Sequence, residues 1–302
     1  MRDKKECMYV ASCSMGKDSV AMVLRLLEEG KPLDEVVYFD TGADFASIIE
    51  NAVRMERILK DYGVKFVRLR PEHGFFELMT QKEVHKRDGT IQHGYSFCGG
   101  VCRWGTTLKT TAIKKHYQTL NTQKIVEYIG IAVDELKRVG KSAGATGENV
   151  QKSYPLIEWG MTEKQCLEFC RAHGWTWKEG GIDLYDVFDR VSCWCCANKN
   201  LKELRGMYEH FPRYWKALKT LQNVCATPYR KGTTLAELEA RFEREIAERK
   251  LKTHAKPKEK LNKQNRKPGR DTTAPGFFIC PENEREETPV LQCPYLTKKA
   301  PS

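Results

Sequence analysis

Residues 11 to 30, ASCSMGKDSVAMVLRLLEEG, join a small polar turn to an apolar helical repeat. The turn carries groups that hold anions. Lys17 offers a mobile ammonium, and Ser14 and Ser19 offer hydroxyls. Gly16 lets the backbone approach a phosphate with no side chain in the way. A strand feeding such a turn, followed at once by a helix, aims free N–H groups and the positive helix end at one point. The spacing is not G-x-x-x-x-G-K-[ST], because position 11 is alanine and position 18 is aspartate. The plainer alternative is a helix cap at Ser14, with Asp18 in the first turn.

The second set of chemical groups is sulfur. FCGGVCRW contains Cys98 and Cys102, and SCWCCAN contains Cys193, Cys195 and Cys196. A C-x3-C and a C-x2-C far apart in the chain can supply four thiolates, Cys98, Cys102, Cys193 and Cys196, to one metal centre. Cys195 is a spare that could replace one of them. The alternative is that all five are small buried hydrophobes. Cys166 and Cys170, i and i+4 on one predicted helix, read as core packing. Cys7, Cys13 and Cys225 read as structural. The seven histidines form no metal or catalytic set, and His73, His93 and His116 are assigned to the surface.

Elements that would position these groups follow from periodicity. CMYVAS, EVVYFDTG, VKFVRLRP, KIVEYIGIAVDE and SYPLIEW read as five strands. Helices are expected from Lys17 to Glu29, over FASIIENAVRMERILKDYG, and over TEKQCLEFCRAHG with Thr162 as N-cap. Strands alternating with helices give an α/β fold with a doubly wound, mostly parallel sheet. Ligands in such sheets sit at the carboxyl ends of strands, where both the opening turn and Asp40 fall. The body is expected over 1–232. A charged helix and basic linker follow over 233–270, then a tail over 271–302 with Cys280 and Cys293. From Arg241 to Arg270 there are twelve Lys or Arg against four Asp or Glu.

With 302 residues and 40% hydrophobic content, the chain can bury a real core. It shows neither a signal-peptide pattern nor a long apolar run, so a cytoplasmic protein without membrane attachment is expected. Twelve cysteines in that setting read as metal ligands or reactive groups rather than disulfides. The net charge of +11 implies a polyanionic partner, a nucleotide, a nucleic acid or both.

Six segments, in order over residues 7 to 222, resemble the phosphoadenosine phosphosulfate (PAPS) reductase-like branch of the PP-loop ATP pyrophosphatase superfamily. SMGKDS is similar to its Ser-Gly-Gly-Lys-Asp-Ser signature, and VVYFDTGADF to its second strand and turn. RWGTTLKT, IGIAVDELKR, YPLIEWGMTEKQCLEFCRAHG and DLYDVFDRVSCWCCAN resemble later family elements. The resemblance implies the adenine nucleotide alpha hydrolase-like fold. It also implies ATP with Mg²⁺, cleaved between the α- and β-phosphates to adenylylate an acceptor. A sulfur or nitrogen nucleophile would then displace AMP. In this reading Ser14, Gly16, Lys17, Asp18 and Ser19 hold the departing pyrophosphate, and Asp40 faces the nucleotide. Arg103, Lys109 and Arg138 meet the α-phosphate or an anionic substrate. Lys17, Asp18, Arg103 and Lys109 are the candidate catalytic set. Cysteines at the two matched places in relatives bind a [4Fe–4S] cluster or, alternatively, zinc.

Three positions depart from the family pattern. Met15 replaces the first loop glycine, Ala132 replaces an arginine, and Gly105 replaces a cysteine, so that Cys102 or Cys98 must substitute. The chain retains Lys17-Asp18-Ser19 and has no Glu-Cys-Gly segment. Both points favour ATP activation over the second reading, reduction of PAPS or adenosine phosphosulfate. A third reading is a nucleotide- and nucleic-acid-binding subunit without turnover. The Lys250 to Arg270 run is a candidate contact for RNA or DNA, with Trp104, Trp194 and Tyr95 as candidate stacking partners. A sulfur-donor or partner protein is also expected.

Overall fold

The fold was derived from a computed structural model that describes residues 5–139 and 149–254. Five strands form one parallel sheet in the order β3-β2-β1-β6-β7. They are β1 (Lys5–Ser12), β2 (Glu35–Phe39), β3 (Lys65–Leu69), β6 (Thr122–Ile129) and β7 (Val150–Ser153). Two short antiparallel hairpins stand outside it, β4 (Glu83–His85) with β5 (Ile91–His93), and β8 (Lys178–Glu179) with β9 (Ile182–Asp183). Every residue of β2 is buried, as expected for an inner strand covered on both faces. Helices α1 (Lys17–Glu28) and α2 (Ala46–Asp61) contribute to the large core with Ala11, Val36 and Tyr38. Helix α3 (Leu108–Thr119) covers the other face, placing Ile113 and Tyr117 on Val10, Val37 and Ile125.

The expected α/β class and parallel sheet are observed. The fifth strand is displaced from the expected segment. Strand β7 is Val150–Ser153, and Pro155–Glu158 within SYPLIEW forms a helical turn. Proline suits that first helical position because its missing N–H would have no intrahelical partner there. The helix Glu163–Ala172 starts at Thr162 through a capping box with Gln165, as its sequence predicts. The compact unit runs through Lys252, beyond the boundary expected at 232. The reason lies in the helix Leu235–His254, which buries Leu235, Leu238 and Phe242 in the core. Phe242 meets the rings of Tyr208 and Trp215. Residues 255–302, which include most of the basic run and both tail cysteines, lie outside the described residues. Among the described residues no helix is long and apolar enough to cross a membrane.

Strand order reverses between β1 and β6, which pair along their whole length from Lys5↔Thr122 to Ser12↔Ile129. The turns that follow these two strands therefore meet at a topological switch point.

Candidate functional site

The loop after β1 is built at that switch point. Ser19 Oγ accepts the Ser14 N–H (3.1 Å) and donates to the Gly16 carbonyl (3.0 Å), closing the turn on itself. Met15 takes the left-handed conformation, φ 61°, and its side chain is completely buried. Its carbonyl accepts Trp177 Nε1–H at 2.7 Å. Helix α1 begins after Gly16 with no side-chain cap, so Ser14 serves the loop rather than a cap. The Lys17 N–H donates to the Tyr185 hydroxyl (2.7 Å). Among the described residues the N–H groups of Asp18 and Ser19 have no acceptor, which leaves them for an anion. Gly130, just after β6, makes this geometry possible. A Cβ there would lie 2.9 Å from Ser19 Cα and 3.0 Å from Ser19 N.

Two carboxylates flank the loop lysine, and a third, Glu135, stands beside them paired with Arg138 and Arg190. Lys17 Nζ sits 3.2 Å from Asp18 and 3.5 Å from Glu163. Asp18, Glu135 and Glu163 each place an oxygen within 4.8 Å of the other two. Asp18 Oδ1 is buried without a hydrogen-bond partner. Burial pushes the Asp18 carboxyl up, and Lys17 opposes the shift. Burial also raises Glu163, again against Lys17. Buried oxygens lacking donors are the ligand type that a hard divalent cation takes. Cys166 and Cys170 are fully buried beneath the loop, and Cys170 Sγ donates to the Lys17 carbonyl at 3.3 Å.

The other candidate nucleotide contacts are dispersed. Asp40 is buried and saturated by the Gly42 N–H (2.9 Å), Arg68 Nη2 (2.8 Å) and Arg70 Nε (2.9 Å). Burial alone would raise its carboxyl, but these donors hold it below the usual range. Arg138 is exposed and pairs with Glu135. Arg103 is exposed, on the π-helical turn Arg103–Thr107. Lys109 is half-buried and lines the main cavity. Burial lowers its ammonium, while Cys13, Asp44, Glu127 and Cys193 act to raise it. Ala132 is fully buried, so the position that is arginine in the family pattern is apolar core.

That cavity measures about 650 Å³, and all five clustered cysteines line it, together with Ser14 from the loop. Cys98 and Cys102 influence each other. The neighbouring Cys102 lowers Cys98 to about 6, and the Cys98 thiol donates to the Tyr95 carbonyl at 3.7 Å. The Gly105 N–H donates to Cys102 Sγ at 3.3 Å. A Cβ built on Gly105 would lie 3.2 Å from that same sulfur. Cys102 Sγ thus lies where a side chain at 105 would begin. Cys193 Sγ lies 3.5 Å from Thr41 Oγ1, and burial pushes it up to about 12. Cys195 is 1% exposed, and burial raises it further. Among the described residues no three cysteine sulfurs lie within 4.8 Å of one another. Thiolates on one zinc sit about 3.8 Å apart, given bonds of about 2.3 Å in a tetrahedron. As placed, the sulfurs do not form a zinc tetrahedron, and the cavity they line has room for a larger group.

Several side chains here carry no motif. Lys199 is 2% exposed, and its Nζ donates to Ser192 Oγ at 3.2 Å. Asp44 accepts the Tyr38 hydroxyl (2.9 Å) and the Thr41 N–H (3.2 Å) at the cavity wall, and burial raises its carboxyl. Glu135, Glu163, Trp177 and Tyr185 reach the loop from elements far along the chain. Glu135, Glu163 and Tyr185 lie inside segments that carry the family resemblance, the one signal that could have marked them, and Trp177 carries none. Of the candidate stacking rings, Trp104 lines the cavity and packs edge-on to Phe75, whereas Trp194 packs on Phe75 and Tyr214. His116 is not a surface residue, because it bonds the buried Glu35 at 2.7 Å.

The chain is similar to an uncharacterised protein of Methanocaldococcus jannaschii. They are 26% identical over 229 residues, which is 72% of this chain and 42% of that protein. It thus spans less than half the length of that curated relative. The U34-tRNA thiolase NcsA from Methanococcus maripaludis, solved with its [4Fe–4S] cluster, is similar with a TM-score of 0.40 and 11% identity. That likeness covers 86% of this chain and 77% of the thiolase. Residues 8–199, which contain the loop, the sheet and all five clustered cysteines, match the phosphoadenosine phosphosulfate reductase domain, and the chain belongs to that family.

Proposed function

We propose that the protein binds ATP with Mg²⁺ on the loop 14–19, cleaves it at the α–β bond and adenylylates an acceptor. An acceptor oxygen attacks the α-phosphorus, the bond to the β-phosphate oxygen breaks, and pyrophosphate leaves. A sulfur or nitrogen nucleophile then displaces the adenylylated oxygen as AMP. The observation that carries this reading is the intact loop opening through Ser14 onto the cysteine-lined cavity. Free N–H groups, Lys17 and Ser19 suit a leaving pyrophosphate, because such chemistry depends on placed donors and cations. Asp18, Glu135 and Glu163 would hold the Mg²⁺, which frees Lys17 for phosphate.

Cys98, Cys102, Cys193 and Cys196 fit a [4Fe–4S] cluster in donor type, in spacing and in the space that they enclose. Such a cluster would supply electrons or a bound sulfide. The acceptor is proposed to be a nucleic acid, on the strength of the +11 charge. Its expected basic contact over 250–270 lies mainly outside the described residues.

The test is release of pyrophosphate from ATP with Mg²⁺, with RNA, DNA and small acceptors compared as stimulants. Lys17→Ala is expected to abolish the release. If release persists unchanged in that variant, the loop assignment fails. Thiol-dependent sulfite formation from PAPS, with no pyrophosphate from ATP, would replace this reading by sulfonucleotide reduction.

A further inference from the structure

Lys199 presents an electrostatic problem that the described residues solve only in part, since its nearest carboxylate, Glu203, makes no ion pair with it. Its side chain is buried in the cavity wall, and among the described residues no carboxylate oxygen lies within 4.0 Å of Nζ. The one hydrogen bond is to the Ser192 hydroxyl. The remaining neighbours are aromatic faces, Phe188 at 4.4 Å and Phe45 at 5.5 Å. The Glu203 carboxylate, which accepts the N–H groups of Asn200 (2.8 Å) and Asp189 (3.1 Å), acts on Lys199 from beyond 4.0 Å.

The position is also fixed. The Lys199 N–H donates to the Cys196 carbonyl at 3.3 Å, the Tyr229 hydroxyl bonds that same carbonyl, and Arg230 bonds the Lys199 carbonyl. A buried ammonium with a single neutral acceptor is costly unless an anion shares its surroundings. The ionisable groups that share its cavity and act on it are Cys196, Glu203, Cys193 and Cys195. The cysteines are neutral as thiols and negative once they ligate a metal.

We infer that Lys199 is the built-in counter-charge of the cysteine centre. Held by Ser192 and Phe188, it offsets the negative charge of thiolates bound to an iron–sulfur cluster, and so governs how firmly the cluster is kept and how readily it takes an electron. Lys199 is a positioning residue in this role. The inference rests on the metal reading given under Proposed function.

The experiment uses the full chain, reconstituted anaerobically with iron and sulfide, as wild type, Lys199→Met, Lys199→Gln and Lys199→Arg. Iron content, release to a chelator and the midpoint potential by redox titration are measured. For both neutral variants the potential is expected to move to more negative values, because a positive charge favours the reduced cluster. Release to the chelator is expected to quicken on the order of tenfold, the loss of one close charge in a partly dry site. Lys199→Arg is expected to stay near the wild type. Without metal, Lys199→Met is expected to melt no lower than the wild type, since it removes an unbalanced buried charge.

Lys199→Gln keeps a donor for Ser192, so it tests the charge even if Lys199→Met does not fold. Loaded neutral variants with wild-type potential and release would overturn the inference alone. A wild type that takes up no iron would overturn both the inference and the cluster reading beneath it.

Discussion

Met15 stands where the family pattern has glycine, and its φ of 61° is a conformation that glycine adopts freely. On that ground alone Met15→Gly should relax the loop, by about 1 kcal/mol for leaving the left-handed region. The burial argues the other way. The Met15 side chain is completely buried within the main core. Truncating such a methionine costs about 2–5 kcal/mol in lost contacts and cavity. Glycine adds unfolded-state freedom worth roughly 0.5–1 kcal/mol. The terms leave Met15→Gly less stable by about 1.5–5 kcal/mol. For a unit of this size that lowers the melting temperature by about 3–20 °C. Met15→Ala keeps the backbone strain but avoids the extra unfolded-state freedom of glycine, so it is expected to melt within a few degrees of Met15→Gly. The assay is thermal and urea unfolding of the three proteins side by side. A Met15→Gly protein that matches or exceeds the wild type would refute the view that core packing, rather than loop geometry, selects methionine here.

Other expectations rest on single contacts. Gly130→Ala sets a Cβ against the Ser19 backbone, which cannot yield as a flexible side chain can. Displacing the loop by a fraction of an ångström should cut pyrophosphate release roughly 100-fold, and unchanged kinetics would show that the close approach has no role. Cys102→Ala should lose bound iron, and adding Gly105→Cys should restore it, since position 105 points at the same place. Iron content of the single and double variants decides this. In the metal-free protein Cys98 is expected to ionise near pH 6, lowered chiefly by the neighbouring Cys102. Its alkylation, mapped by mass spectrometry, should rise through that pH and level off above it, well before Cys102 reacts; a rise only above pH 8 would contradict the pairing.

The sheet was legible because β1, β2, β3 and β6 are short apolar runs bounded by turn residues, and because strands alternate with helices. Strand β7 was not. It is polar, VQKS, and borders the unmarked stretch before Tyr154, so its pairing with β6 comes from the fold rather than from any pattern of its own. The loop and the two cysteine groups were legible as dense local clusters. Glu135, Glu163, Trp177, Tyr185 and Lys199 were not, because each is an ordinary residue in its own segment and acquires its role only when the chain returns to the switch point. Asp40 shows the opposite case. It stands at the expected strand end, yet Arg68 and Arg70 occupy its carboxylate.

The partners of β1 have a kinetic consequence. Its near neighbour β2 follows within a few dozen residues, but its other edge waits for β6, more than a hundred positions later. Such non-local pairing slows folding, because the entropy of closing the intervening chain is lost before any contact repays it. Until β6 arrives, the strand that leads into the phosphate loop has an unpaired edge, and Gly130 is not yet packed against Ser19. The loop should therefore gain its final shape late in refolding, after secondary structure and bulk collapse. During synthesis, the apolar edge of β1 is the surface that a nascent chain must keep from pairing with another copy.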